Sequence, residues 1–238
     1  MRASTNEIRE MALQGPNCRD PGAIDWNYTR AETIADLAIH VVGLCFGLIA
    51  AGSLLVHAAL HAPTMNIVAA SIYSLGLLSV LTFSAAYNLW PVCPVKWWLR
   101  RFDQSAIYLL IAATYTAFVV DTKAGTTAVC VLIGIWFIAA LGIAAALALP
   151  GRLDRIAIGV YVGMGWSVGV LWSVKEVPLP FGSFLLLVAG GALVTAGLIF
   201  HVWHGLRFQN AIWHLVVLLA IACQYAAVLG VVTSQATT

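Results

Sequence analysis

The chain has 238 residues, of which 61% are hydrophobic and only 9% are charged, and its formal net charge is +2. Soluble domains carry about 25% charged residues, so this composition excludes an ordinary soluble globule and indicates an integral membrane protein. The small net charge argues against a nucleic-acid partner, since such partners require a basic face. Membrane lipids are therefore the expected contact, and no particular protein partner is indicated.

The N-terminal segment differs from the remainder of the chain. Residues 1–33 contain four arginines and five acidic residues, and they lack the apolar core of about 7–15 residues that a signal peptide needs. We therefore expect a polar tail over residues 1–33, followed by a membrane domain over residues 34–233.

The membrane domain divides into seven apolar segments. A spanning helix needs about 20 apolar residues, and charges and prolines separate segments of that kind at about 34–56, 67–90, 104–121, 127–149, 155–174, 180–200 and 211–233. The breaks are short, and each contains a proline, a glycine or a charge that suits a turn. The predicted fold is an all-α membrane protein, a bundle of seven transmembrane helices.

The distribution of basic residues predicts how the bundle is oriented. With seven spans, the tail and the second, fourth and sixth loops share one side. That side holds Arg2, Arg9, Arg19, Arg30, Lys96, Arg100, Arg101, Arg152, Arg155 and Arg207, whereas the other side holds Lys123 and Lys175. Because lysine and arginine are enriched on the cytoplasmic side, we expect a cytoplasmic N-terminus and an external C-terminus.

Polar side chains interrupt the spans near the predicted cytoplasmic end. They are Asp36 and His40 in span 1, Ser84 and Asn88 in span 2, Asp103 at the start of span 3, and Asn210 and His214 in span 7. A spacing of four residues places both members of each pair on one helix face. Helix bundles build sites from side chains on facing helices, so this pattern predicts one shared polar cluster.

Each of these residues also has an ordinary structural interpretation. Asp36 and Asp103 lie in first turns, where a carboxylate is favoured by the exposed amides and the helix dipole. Ser84 is the kind of small residue found between packed membrane helices. Only the joint pattern favours a functional cluster.

Four segments of the sequence resemble a known family. ETIADLAIHVVG, SAAYNL, RRFDQSAIYLLIAATYTAF and FQNAIWHLVVL are together similar to the bacterial hemolysin III proteins, which belong with the progestin and adipoQ receptors. The resemblance runs from about residue 30 to the last span, in the same order. It implies seven helices with the N-terminus inside and, for a bacterial member, a multi-pass protein of the inner membrane.

The resemblance also implies a metal site. Family members carry a serine and a histidine on span 2, an aspartate opening span 3 and a histidine pair on span 7, and the three histidines hold zinc. Ser84, Asp103 and His214 match this pattern, so the resemblance implies catalytic roles for Asp103 and Ser84 if the protein is a hydrolase. Asn88 and Asn210, however, stand where two of the histidines are expected. Because carboxamides bind zinc poorly compared with imidazoles, we expect a degenerate metal site with His214 as its remaining ligand.

Three functions follow as alternatives. The first is a non-enzymatic hemolysin III type membrane protein, active in membrane homeostasis, lipid sensing or cytolysis, and the missing ligands favour it. The second is a metal-dependent, ceramidase-like lipid amidase, since the wider superfamily hydrolyses lipid amides. The third is a channel, which we rank last because no span carries a line of charges through the bilayer centre.

Overall fold

The computed structural model describes residues 28–91, 94–120, 124–149, 153–177, 179–203 and 205–235. Regular secondary structure in these ranges is helical throughout, and the helices are α1 (Arg30–His61), α2 (Thr64–Leu89), α3 (Pro94–Val119), α4 (Thr126–Ala148), α5 (Asp154–Trp166), α6 (Val168–Val174), α7 (Phe181–Val202) and α8 (Gln209–Gln235). With α5 and α6 forming one span, seven helical segments are long and apolar enough to cross a membrane. The prediction of an all-α seven-helix membrane protein is confirmed.

The two ends of the bundle differ in charge. One end, called the basic end below, is where α1, α3, α5 and α8 begin and α2 finishes, and it carries Arg30, Lys96, Arg100, Arg101, Arg155 and Arg207. An ion pair between Arg100 and Asp154 links the starts of α3 and α5 at this end. That the basic end faces the cytoplasm stays a prediction, and most of the tail lies outside the described residues.

Helix α1 begins four residues earlier than the apolar pattern predicts. Thr29 and Glu32 form a capping box, in which the Glu32 carboxylate accepts from the Thr29 amide at 2.8 Å and the Thr29 hydroxyl accepts from the Glu32 amide at 3.4 Å. Such a cap satisfies amides that the first turn leaves free. The other oxygen of Glu32 accepts from the Phe208 amide at 3.0 Å, so the same side chain fixes the start of α8 against α1.

Helix α3 lies at the centre of the bundle. In its most apolar stretch 67% of residues are buried, compared with 17% in α4. At Gly76 of α2, an added Cβ would lie 3.2 Å from the Leu110 Cα, so α2 and α3 approach each other closely there. Large apolar side chains such as Ile49, Leu60 and Phe137 point outward, as expected for helices surrounded by lipid.

The fifth span is interrupted at Ser167, between α5 and α6. The Tyr115 hydroxyl of α3 contacts the break, at 2.9 Å from the Met164 carbonyl and 2.7 Å from the Ser167 hydroxyl. An added Cβ at Gly159, Gly163, Gly165 or Gly169 would meet no atom within 4 Å, so the glycines of this span do not serve close packing against other helices of the chain.

A carboxylate joins the segment before α7 to the first turn of α4 at the end opposite the basic end. Glu176 precedes α7 and accepts from the Ala128 amide at 2.9 Å and from the Thr127 hydroxyl at 2.8 Å. These bonds favour the charged form, so they lower the pKa of Glu176 below its ordinary range, with the Ala128 amide as the larger cause.

This contact predicts a pH dependence. A lowered folded-state pKa means that the stabilisation is fully present above the ordinary glutamate pKa of about 4.3 and is lost as the pH falls through the folded-state value. We expect Glu176→Gln to lower the thermal stability slightly at neutral pH, and the difference from wild type to vanish in acid. Melting temperatures measured across pH test this, and a difference that persists unchanged in acid contradicts it.

Candidate functional site

The polar residues of α1, α2 and α8 form two layers at the basic end. The outer layer contains one residue from each helix, Asp36, Asn88 and Asn210, and the inner layer contains their partners one helical turn deeper, His40, Ser84 and His214. Asp36 and His40 are buried, and the others are partly buried. The structure thus brings together six of the seven polar residues singled out in the sequence, with Asp103 of α3 beside them.

Asp36 is the main acceptor of the outer layer. Its carboxylate accepts from the His214 Nδ1 at 2.6 Å and from the Asn210 Nδ2 at 3.1 Å. The Asn210 amide also donates to the Asn88 Oδ1 at 3.2 Å, which connects α8 to α2. Hydrogen bonds to a charged group contribute more than neutral ones, about 1.5–3 kcal/mol, so this carboxylate organises the three helices around it.

The inner layer also contacts Asp36, through the main-chain oxygen of that residue. The His40 Nδ1 lies 2.8 Å from the main-chain oxygen of Asp36, and the His40 Nε2 lies 3.4 Å from the Ser84 hydroxyl. The rings of His40 and His214 meet edge to face, with centroids 4.6 Å apart. The two imidazoles therefore lie side by side, one turn below the outer layer.

The partners of each ring nitrogen fix its role. A carbonyl oxygen only accepts, so the His40 Nδ1 carries a proton. In the same way the His214 Nδ1 donates to Asp36, while the His214 Nε2 accepts from the Asn88 Nδ2 at 3.3 Å. All these contacts are satisfied when both imidazoles are neutral and Asp36 is charged. The hydrogen-bond network therefore needs no further proton.

Asp103 joins the network through Ser84. The Ser84 hydroxyl and Arg100 both lie close enough to the Asp103 carboxyl group to interact with it electrostatically. Asp103 is partly buried in the third turn of α3, which begins at Pro94, so the prediction that it lies in a first turn is wrong. The same prediction is wrong for Asp36, which lies in the second turn of α1. Catalytic roles for Asp103 and Ser84, inferred from the resemblance, stay predictions.

One residue of the site gives no polar-cluster signal in the sequence. Lys96 of α3 is buried, and its Nζ donates to the main-chain oxygens of Asn88 at 3.2 Å and Trp90 at 2.8 Å. The sequence indicates only that Lys96 is one of several basic residues in the loop between spans 2 and 3. Its ammonium group covers the last carbonyls of α2, where a cation is favoured by the helix dipole.

The zinc site implied by the resemblance does not fit this geometry. Asn88 turns an N–H donor toward the His214 Nε2, and its oxygen is taken by Asn210. A donor hydrogen faces the nitrogen at which a metal would bind, and neutral carboxamide oxygens are weak zinc ligands. The side chains at positions 88, 210 and 214 are linked by hydrogen bonds and do not present three zinc ligands.

A different group of potential ligands occurs in the same place. Asp36, His40 and His214 each offer one ligand atom, and these atoms lie within 4.8 Å of one another. This grouping depends on the lean of α1 against α8, which a one-dimensional pattern does not give.

Two small cavities flank the network, each of about 40 Å³. On this measure one water molecule takes about 10–15 Å³, so each cavity has room for a few waters. The first adjoins the outer layer and is lined by Glu32, Thr33, Asp36, Asn88 and Asn210 among others. The second adjoins the inner layer, and apolar residues of α1, α2 and α8 surround His40, Ser84 and His214 there.

Comparisons with known proteins agree with this architecture. The family model described as Haemolysin-III related matches residues 29–225. Hemolysin-3 of Bacillus cereus is 34% identical over 198 residues, covering 83% of this chain and 90% of that protein. A Hemolysin-3 homolog of Bacillus subtilis (strain 168) is 31% identical over 202 residues, covering 85% of this chain and 95% of that protein. No solved structure matches the chain.

The fold and the site define a multi-pass membrane protein whose first, second and last spans share a polar network at one end. Within that class, the chain belongs to the hemolysin III family.

Proposed function

We propose that the protein is a non-enzymatic membrane protein of the bacterial inner membrane that senses bilayer lipids in membrane homeostasis. The proposal rests on one observation, that the polar side chains of the network satisfy one another's hydrogen bonds. Hydrogen bonds across three helices join Asp36 to Asn210 and to His214. Asn88 is bonded to the same two residues. A satisfied network rigidifies its surroundings, and it leaves no donor of these residues aimed at a reacting group.

The apolar cavity supports contact with lipid. It lies between α1, α2 and α8, and its lining is mainly apolar, with His40, Ser84 and His214 as the polar group. Outward-facing residues of α1, such as Val42 and Ile49, are exposed on the surface of the same helix. On this proposal a change in lipid packing around α1 reaches the polar network through the cavity.

Gly43 offers a direct test, because it lines this cavity. An added Cβ would lie 3.5 Å from the Leu218 Cδ1 and 3.6 Å from the Leu81 Cδ2, which is ordinary contact. We therefore expect Gly43→Ala to reduce the cavity without a clash and to weaken the dependence of the melting temperature on acyl-chain length in proteoliposomes. Gly52→Ala on the same helix is the matched control, since nothing lies within 4 Å of its added Cβ.

The same proteoliposomes distinguish the other functions. Sensing predicts no release of fatty acid by mass spectrometry and no leakage of a trapped dye. Leakage would favour cytolysis, which the names of the Bacillus relatives support. A lipid dependence that is identical in wild type, Gly43→Ala and Gly52→Ala contradicts sensing through this cavity.

A lipid amidase is the second candidate, and the proximity of Asp103 to Ser84 and His214 favours it. In the family-type reaction a metal ion supplies an activated water, and zinc binding at positions 88, 210 and 214 is disfavoured here. Fatty-acid release from a ceramide that disappears with Asn88→Ala or Asn210→Ala would support this candidate and overturn the non-enzymatic proposal.

A further inference from the structure

We propose that the start of α3 binds the headgroup of an anionic phospholipid, with the Arg101 guanidinium holding the lipid phosphate and the Trp98 ring lying beside it. Both residues belong to the first turns of α3, at the basic end of the bundle. Neither residue lines the polar cavity or the apolar cavity. This surface is therefore separate from the cavity of the proposed sensing function, and the inference does not depend on that function.

The first turns of α3 present an apolar and aromatic face outward. Val95, Trp98 and Phe102 are 49%, 53% and 39% exposed, and their spacing of three and four residues places them on one face of the helix. Phe102 stacks on Phe83 of α2, with ring centroids 5.3 Å apart, so the face extends to the neighbouring helix. Tryptophan at the end of a membrane span typically lies at the level of the lipid headgroups. A headgroup and the first part of its acyl chains would lie against this face.

Arg101 is held beside the aromatic face by two contacts. Its guanidinium carbon lies 4.4 Å from the centroid of the Trp98 ring, and its Nη1 donates to the Leu147 main-chain oxygen at 3.2 Å. That oxygen lies in the last turn of α4, where carbonyl groups lack a partner within the helix. A guanidinium has five N–H donors, and none of the described residues accepts from the Arg101 Nη2. The Nη2 hydrogens are therefore available to a phosphate oxygen.

The charge of this surface favours an anionic headgroup. Arg100 is neutralised by its ion pair with Asp154. Within the described ranges no ion pair involves Arg101 or Arg155, and Arg155 is exposed directly after Asp154, where α5 meets α3. Two guanidinium groups without a carboxylate favour a lipid with a net negative charge over a zwitterionic one. Arginine also suits phosphate because its planar fork donates two parallel hydrogen bonds.

Binding is tested on the full-length protein in a neutral detergent, to which phosphatidylglycerol or phosphatidylcholine is added. We expect phosphatidylglycerol to raise the melting temperature more than phosphatidylcholine does, since a ligand of the folded state stabilises it. Arg101→Gln should weaken the apparent affinity for phosphatidylglycerol about tenfold, because a hydrogen-bonded charge pair is lost. Arg101→Lys keeps the charge without the planar fork, so its loss should be smaller.

Two further variants separate the site from the general charge of the basic end. Arg155→Gln breaks no hydrogen bond or ion pair within the described part of the chain, and it should weaken binding roughly fivefold. Arg30→Gln removes an exposed cation of the same end from α1 and is the matched control. Salt at physiological strength screens exposed charges beyond about 8 Å, so we expect the control to keep the affinity of wild type.

Three outcomes contradict the proposal. Equal losses in Arg101→Gln and Arg30→Gln would mean a general charge effect, and equal responses of wild type to the two lipids would mean that the surface does not select an anionic headgroup. A shift of the same size with inorganic phosphate alone would mean that a free anion, and not a lipid, is bound. Each variant is compared with its own melting temperature without lipid, because Arg101 also contacts α4. Gly43→Ala should keep the lipid preference, so failure here leaves the proposed sensing function untouched.

Discussion

Asp36→Ala is expected to destabilise the protein by roughly 3 kcal/mol. The carboxylate accepts from the His214 Nδ1 at 2.6 Å and from Asn210 at 3.1 Å. Hydrogen bonds to a charged group contribute about 1.5–3 kcal/mol each, and removing the acceptor leaves two partly buried donors unsatisfied. We take the lower limit of the range for two such bonds because hydrogen bonds within membranes are on average weaker.

Unfolding in mixed micelles with rising denaturant measures this effect. Asp36→Asn is the matched variant, since it keeps an acceptor oxygen for His214 and loses the charge, so we expect it to lie between wild type and Asp36→Ala. Equal stability of all three proteins would mean that the carboxylate does not organise α1, α2 and α8.

Asn88→His/Asn210→His is expected to create the zinc site that the native chain lacks at these positions. The Asn88 and Asn210 side chains approach to 3.2 Å, and the Asn88 amide lies 3.3 Å from the His214 Nε2. Ligands about 2.0–2.1 Å from a tetrahedral zinc are ~3.3 Å apart, so the spacing of the three side chains already suits an ion. The polar cavity beside Asn88 and Asn210 gives room for the larger rings.

This experiment is done in a His40→Gln background, which removes the neighbouring imidazole as an alternative ligand. There the double change should raise the zinc content from trace levels to about one ion per protomer, and Asn210→His alone should raise it much less. Failure of the double change to bind zinc would show that the helices do not hold these positions in ligand geometry.

The spans were predictable because the bilayer imposes a simple rule on the sequence. A stretch such as residues 127–149 has few alternatives to a spanning helix when it lacks charges, and α4 follows it closely. Ends were less predictable. The early start of α1 depends on a capping box and on the contact of Glu32 with α8, which a hydropathy pattern does not report.

The polar site was predictable only as a set of residues. Spacing of four placed each pair on one face, but spacing does not give the rotation of a helix or its lean against a neighbour. For that reason the sequence predicted that Asp36, His40 and His214 share one cluster, but not that their ligand atoms lie within 4.8 Å of one another. Lys96 was missed because its signal in the sequence is that of an ordinary loop cation, whereas its ammonium group lies buried on the end of α2.

The two-layer arrangement separates the two cavities by a single thickness of side chains. The polar cavity contacts Asp36, Asn88 and Asn210, and the apolar cavity contacts the residues one turn deeper. A polar solute entering from water and a lipid group pressing from the bilayer would thus bear on the same hydrogen bonds from opposite faces. Thermodynamic linkage then requires that each changes the affinity for the other by the same factor.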